Sequence, residues 1–147
     1  NQEEIDRGVE RNNLSKEKSF LTARITDTNG KTKQSFALGQ KLEVHVGWKG
    51  LDPESIESIG INIFKLSGEH VTGINTRYGI KGSAWKKSGK LKAEVTLNMT
   101  PGKYFLLIQA YGNDGRAIES IFHGPEFSVV ADNVDWSGLV NLPHSWQ

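Results

Sequence analysis

Thr100-Pro-Gly-Lys-Tyr-Phe-Leu-Leu-Ile-Gln-Ala-Tyr111 is the stretch around which the chain is organised. Proline presets φ at the first central position of a turn and glycine accepts positive φ at the second. Pro101-Gly102 therefore predicts a chain reversal that leaves as a strand opening at Tyr104. Strand side chains alternate between two faces. Tyr104, Leu106, Ile108 and Ala110 form one set, and Phe105, Leu107, Gln109 and Tyr111 form the other. Both sets begin apolar, as expected of a central strand, but only the second ends in an amide and a phenol. The Tyr104 set is assigned to the core and the Gln109 set to a working surface.

Working outward, the pattern is β from Phe20 onward. Phe20 to Asp27 alternates, Thr28-Asn29-Gly30-Lys31 is a hairpin-type turn, and Thr32 to Ala37 is expected to return beside the first strand. Gln40 to Lys49 places Leu42, Val44, Val46 and Trp48 on one face, with Trp48 read as a core aromatic. Ser58 to Leu66 and Glu69 to Thr76 read as a hairpin about Ser67-Gly68, with Ile59, Ile61 and Ile63 inward and Asn62 and Phe64 outward. Arg77 to Gly89 has the least pattern and reads as a long functional loop. Lys90 to Met99 alternates again, and Ala117 to Phe122 and Glu126 to Val130 follow the Asn113-Asp114-Gly115 turn. Short strands at even spacing without a convincing helix indicate an all-β, two-sheet antiparallel sandwich. Pro-Gly before a strand-opening tyrosine also resembles the corner of immunoglobulin-like sandwiches, where the ring packs inward and the hydroxyl bonds local backbone.

Composition narrows the function classes. With 147 residues and no Cys, one core can form without disulfides. Eighteen Lys and Arg against seventeen Asp and Glu give +1, too balanced for nucleic-acid or membrane binding through bulk charge. Residues 1–18 mix charges of both signs with few bulky apolar groups and read as a linker, leaving 19–147 as the sandwich. The only Met is Met99, and the chain is expected to be a piece of something longer.

No Gly-x-x-x-x-Gly-Lys-Ser/Thr loop is present, and His45, His70, His123 and His144 are scattered without metal-ligand spacing. Asp27-Thr-Asn-Gly reads as a plain turn rather than a calcium loop. No cofactor or metal is expected in this chain. What remains is a set of rings and amides suited to sugars, whose hydroxyls need planar polar partners and whose C–H faces stack on aromatic rings. The candidate carbohydrate contacts are Asn62, Phe64, Asn75, Arg77, Tyr78, Trp85, Gln109, Tyr111 and His123. A structural or adhesin-like sandwich that binds protein is the competing reading, and a small glycosidase is a third.

Four pieces carry a family resemblance. They are Asp27-Thr-Asn-Gly with Phe36 and Gly39; Gly60-Ile-Asn-Ile-Phe through Ser67-Gly68 to Gly73-Ile-Asn-Thr76; Leu97 through Thr100-Pro-Gly-Lys-Tyr104; and Gly138-Leu-Val-Asn-Leu-Pro-His-Ser-Trp146. Together they resemble the C-terminal domain of the ATPase subunit of bacterial O-antigen polysaccharide ABC transporters, the Wzt type. The resemblance implies an immunoglobulin-like sandwich that dimerises by exchanging its last strand, 137–147, through Leu139, Val140, Leu142 and Trp146. It implies non-catalytic recognition of the modified non-reducing end of lipid-linked O-polysaccharide before export. It further implies a preceding ATPase domain that uses ATP and Mg, a transmembrane partner subunit, and a place at the cytoplasmic face of the inner membrane.

Overall fold

The computed structural model describes residues 20–76, 85–132 and 145–146. The linker segment 1–18, Arg77, Tyr78, and Leu139, Val140 and Leu142 of the proposed exchange strand lie outside the described residues.

Among the described residues nine strands run in chain order: β1 (Phe20–Thr26), β2 (Ser35–Ala37), β3 (Lys41–Lys49), β4 (Ile56–Lys65), β5 (His70–Asn75), β6 (Gly89–Thr96), β7 (Gly102–Gly112), β8 (Ala117–Ile121) and β9 (Glu126–Val130). They form two sheets. The first has the order β1-β3-β6, and the second β2-β9-β7-β4-β5 with β8 also on β7. β7 is the central strand foreseen from its two apolar faces. It pairs with β4 along one edge, and β9 and then β8 share the other edge, β9 at Gly102–Phe105 and β8 at Ile108–Tyr111.

The alternation of β7 decides which way the second sheet faces. Tyr104, Leu106, Ile108 and Ala110 are at most 1% exposed, while Phe105, Leu107, Gln109 and Tyr111 are half-buried. Ile59, Ile61 and Ile63 of β4 join the inward set, meeting Leu42, Val44, Val46 and Trp48 from the facing sheet. Period-two burial on both sheets is what closes a sandwich around one core.

At the corner, the Tyr104 hydroxyl donates to the Thr100 carbonyl oxygen, and its ring stacks on Phe127 with centroids 5.5 Å apart. Burial pushes the Tyr104 phenol up, so it stays protonated as the donor.

Two local expectations are corrected. The Pro101-Gly102 step is not a reversal within one sheet: Gly102 takes the expected positive φ, 158°, but as the first residue of β7, where it already pairs with Val129. The chain crosses here from β6 in one sheet to β7 in the other rather than reversing within a sheet. β2 likewise does not return beside β1. Only Thr26 and Thr32 bridge, after which Ser35–Ala37 runs parallel to β9 in the opposite sheet and buries Phe36 completely. The edge-on contact of Phe36 with Phe127, 6.5 Å between centroids, explains the preference for that sheet. The Asp27 turn is as read: its carboxylate accepts from the Asn29 and Lys31 backbone N–H groups at 2.8 and 3.0 Å.

Candidate functional site

The outer face of the second sheet is built from three rungs of the strand ladder. Antiparallel register aligns Asn75, Gly60, Gln109 and Ser120 across β5, β4, β7 and β8. The next rung holds Gly73, Asn62 and Leu107, and the third His70, Phe64 and Phe105. A polar end thus grades into an aromatic end.

At the polar end Tyr111 leans back across Gly60. A Cβ at Gly60 would stand 2.8 Å from Tyr111 Cε2 and 3.5 Å from Asn75 Nδ2, so the absent side chain is what gives the ring its place. The Tyr111 hydroxyl donates to Gln109 Oε1 at 2.6 Å, and Gln109 Nε2 donates to the buried Ser120 Oγ at 3.3 Å. This relay fixes the Gln109 amide. It leaves one amide N–H, one carbonyl lone pair and the tyrosine oxygen lone pairs with capacity for a ligand. Asn62 uses the same device one rung along, lying over Gly73 with its Oδ1 3.3 Å from His70 Nε2.

The aromatic end is self-stacked. Phe64 lies 5.5 Å from Phe105 with planes 14° apart and 4.9 Å from His70, and His123 covers Phe105 at 4.1 Å and 12°. His123 Nε2 is also 2.8 Å from Glu126 Oε2. Phe105 is stacked on both sides, by Phe64 and His123, and Phe64 has Phe105 against one face and the tilted His70 ring, 56° from its plane, beside it, so these rings spend their faces on one another rather than on the C–H face of a sugar. Trp85 is likewise engaged. It meets Trp48 edge-on at 5.4 Å, donates its indole N–H to the Glu57 carbonyl at 3.3 Å, and packs against the core.

Of the nine candidate contacts, Asn62, Asn75, Gln109 and Tyr111 gather on one face, Phe64 and His123 form its aromatic border, and Trp85 is a packing residue. Arg77 and Tyr78 lie outside the described residues. Sequence reasoning passed over His70, Phe105 and Ser120. The odd-numbered alternation of β7 already placed Phe105 on this face, whereas His70 and Ser120 join it only through cross-strand register. Among the described residues no group of three or more His, Asp or Glu side chains could hold a metal ion, and no helix is long and apolar enough to cross a membrane.

Fold and face together define an immunoglobulin-like β-sandwich with a polar and aromatic outer face. The family description of the Wzt C-terminal domain matches residues 10–142, and the chain belongs to that family. A crystal structure of the C-terminal domain of Wzt matches with a TM-score of 0.66 at 16% identity, over 88% of this chain and 87% of that one. Looser likenesses are to a Pseudomonas fluorescens alkylpurine DNA glycosylase, AlkC, at 14% identity and TM-score 0.44 over 78% of this chain and 31% of that one, and to a Listeria innocua β-glucosidase, at 13% and 0.44 over 77% and 16%. Among curated proteins, none matches significantly. Family membership supports, in outline, a non-catalytic binding domain with a carbohydrate-binding role in O-antigen transport.

Proposed function

We propose that this domain binds the modified non-reducing end of lipid-linked O-polysaccharide on the outer face of the second sheet, and so couples chain completion to export. The observation that carries the reading is the Tyr111–Gln109–Ser120 relay beside the Gly60 recess. A pre-oriented amide next to a phenol meets the donors and acceptors of a sugar without reorganising, which limits the entropy lost on binding. Asn62 and Asn75 extend the polar surface, and the Phe64–Phe105–His123 file stiffens its border.

Replacing Gln109 or Tyr111 by Ala is expected to weaken binding of a defined, end-modified polysaccharide by about tenfold each, the loss of roughly one or two ligand hydrogen bonds. Calorimetric titration against the modified and unmodified polymers reads it. Unchanged affinity in both variants removes the site, and capture of a protein partner with no response to any glycan favours an interaction module. Phe64→Ala is expected to lower stability by about 1–3 kcal/mol through lost ring packing while moving glycan affinity less than about threefold. Urea melts and the same titration separate the two effects.

We further propose that the domain forms a homodimer by exchanging 137–147. Support comes from the open side of the sandwich, where Ile59, Ile61, Ile74, Leu91 and Ala93 line a cavity of about 150 Å³ between β4–β5 and β6, and Ile74 is 43% exposed. Trp146 in the proposed strand is 90% exposed. Truncation after Ser137 should give monomers or unfolded chains by sedimentation; a folded dimer without the tail contradicts the exchange. In the full protein this domain is read as working at the cytoplasmic face of the inner membrane, beside a transmembrane subunit and an ATPase domain using ATP and Mg.

A further inference from the structure

The opposite face of the sandwich carries a second feature with its own chemistry. On the outer side of β1-β3-β6, register places Thr22, Gly47 and Lys90 on one rung and Arg24, His45 and Lys92 on the next. Strands lie about 4.8 Å apart, and same-face neighbours along a strand about 7 Å, so these side chains surround one spot. Its centre is Gly47, where a Cβ would stand 2.8 Å from Thr22 Oγ1. Gly47 and its neighbours line an open cavity of about 610 Å³, a volume within the range of small-ligand sites.

The charges around this cavity are unbalanced. Glu43 is 6% exposed and lies 3.3 Å from Lys92 Nζ and 3.7 Å from His45 Nε2. Among the described residues Arg24 and Lys90 have no ion-pair partner, and both are exposed at the cavity. The imbalance is felt by His45, which burial, Arg24, Lys92 and Lys90 hold below its ordinary value, with Glu43 alone opposing them. His45 Nε2 is within 2.8 Å of Thr26 Oγ1.

We infer that this cavity is an anion site for the phosphate group of a compact phosphorylated ligand such as a sugar phosphate, held by Arg24 and Lys90 over Gly47 with Thr22 beside them. Donors arrive from separate strands and are of different kinds: a planar guanidinium suited to bidentate contact, an ammonium and a hydroxyl. Three or more acceptor oxygens match that arrangement better than the two of a carboxylate. The following rung carries Glu43 and Glu94, with Glu94 paired to Lys41 at 3.2 Å. Two carboxylates beside the basic rungs repel an extended anionic surface, which favours a compact phosphate over a lipid bilayer.

The test is a ¹H–¹⁵N NMR titration of the domain at low ionic strength with inorganic phosphate, a hexose 1-phosphate and the unphosphorylated hexose. The first two are expected to shift Thr22, Gly47 and Lys90 amides and to raise the His45 pKa, as an anion offsets the surrounding cations; the hexose should leave these signals in place. Arg24→Gln with Lys90→Gln should weaken hexose 1-phosphate binding by about tenfold or more, the loss of at least one charge-assisted contact. Lys103→Gln, an exposed lysine on β7, should not weaken it. Both changes replace exposed side chains, so the fold is retained. Shifts scattered over all lysines, shifts confined to the Gln109 face, undiminished binding by the double variant, or sedimentation with phosphatidylglycerol vesicles without a response to either phosphate would each overturn the assignment. Because the cavity lies on the other sheet, its failure leaves the proposed glycan face standing, and the reverse also holds.

Discussion

Replacing Tyr104 by Ala is expected to lower the unfolding free energy by about 3–5 kcal/mol, and replacing it by Phe by about 1–2 kcal/mol. The first figure is the removal of a large ring from a site 1% exposed, stacked on Phe127 at 5.5 Å, where neighbouring strands can only partly collapse. The second isolates the hydroxyl. It donates to the Thr100 carbonyl, which sits where the chain crosses between sheets and has no ladder partner to replace it. Urea unfolding with an unchanged m-value measures both. A Phe variant as stable as the parent shows that the ring alone holds the corner, and an Ala variant within 1 kcal/mol of the parent removes Tyr104 from the core argument altogether.

That corner was legible because its parts lie within five residues of one another. Pro101, Gly102 and Tyr104 name the feature, and the alternation after them assigns the faces of β7. The same local logic placed a positive φ at Gly102 but misjudged the reversal, because the role of a Pro-Gly step depends on whether the next strand joins the same sheet or the other one, and short-range pattern carries no record of that. β2 failed for a related reason. A three-residue strand has no periodicity to read, and its parallel pairing with β9 joins segments more than ninety residues apart.

The candidate face divides the same way. Gln109 and Tyr111 follow from period two on a single strand, and Asn62 follows once Ile59, Ile61 and Ile63 are placed inward. Whether a ring shows a face or an edge is a property of register between strands. The file from His70 to His123 draws on β5, β4, β7 and the segment after β8, and no linear window contains it. The glycines were legible only as breaks in a strand pattern, yet Gly60 and Gly47 mark the recess on each sheet. A glycine inside an otherwise regular strand signals close approach by something else.

Gly60 therefore supplies the sharpest separation of site from fold. Gly60→Val is expected to reduce affinity for the end-modified polysaccharide by about 100-fold while changing stability by no more than about 1 kcal/mol. Its Cβ would stand 2.8 Å from Tyr111 Cε2, and the obstructing atom belongs to a side chain on the outer face, so the ring swings away and the backbone need not move. Displacing the ring breaks the 2.6 Å bond to Gln109 Oε1, frees the amide to rotate, and fills the recess with two methyl groups. On the stability side, the strand gains a β-branched residue in place of one that loses the most backbone entropy on folding, which offsets the lost relay. Gly60→Ala should fall between the two, since it adds the Cβ without the branch. Glycan titration, urea melts and the NMR shifts of the Tyr111 ring together decide the matter. A folded Val variant whose Tyr111 ring has moved but whose glycan affinity is intact would show that the polysaccharide is recognised elsewhere on the domain.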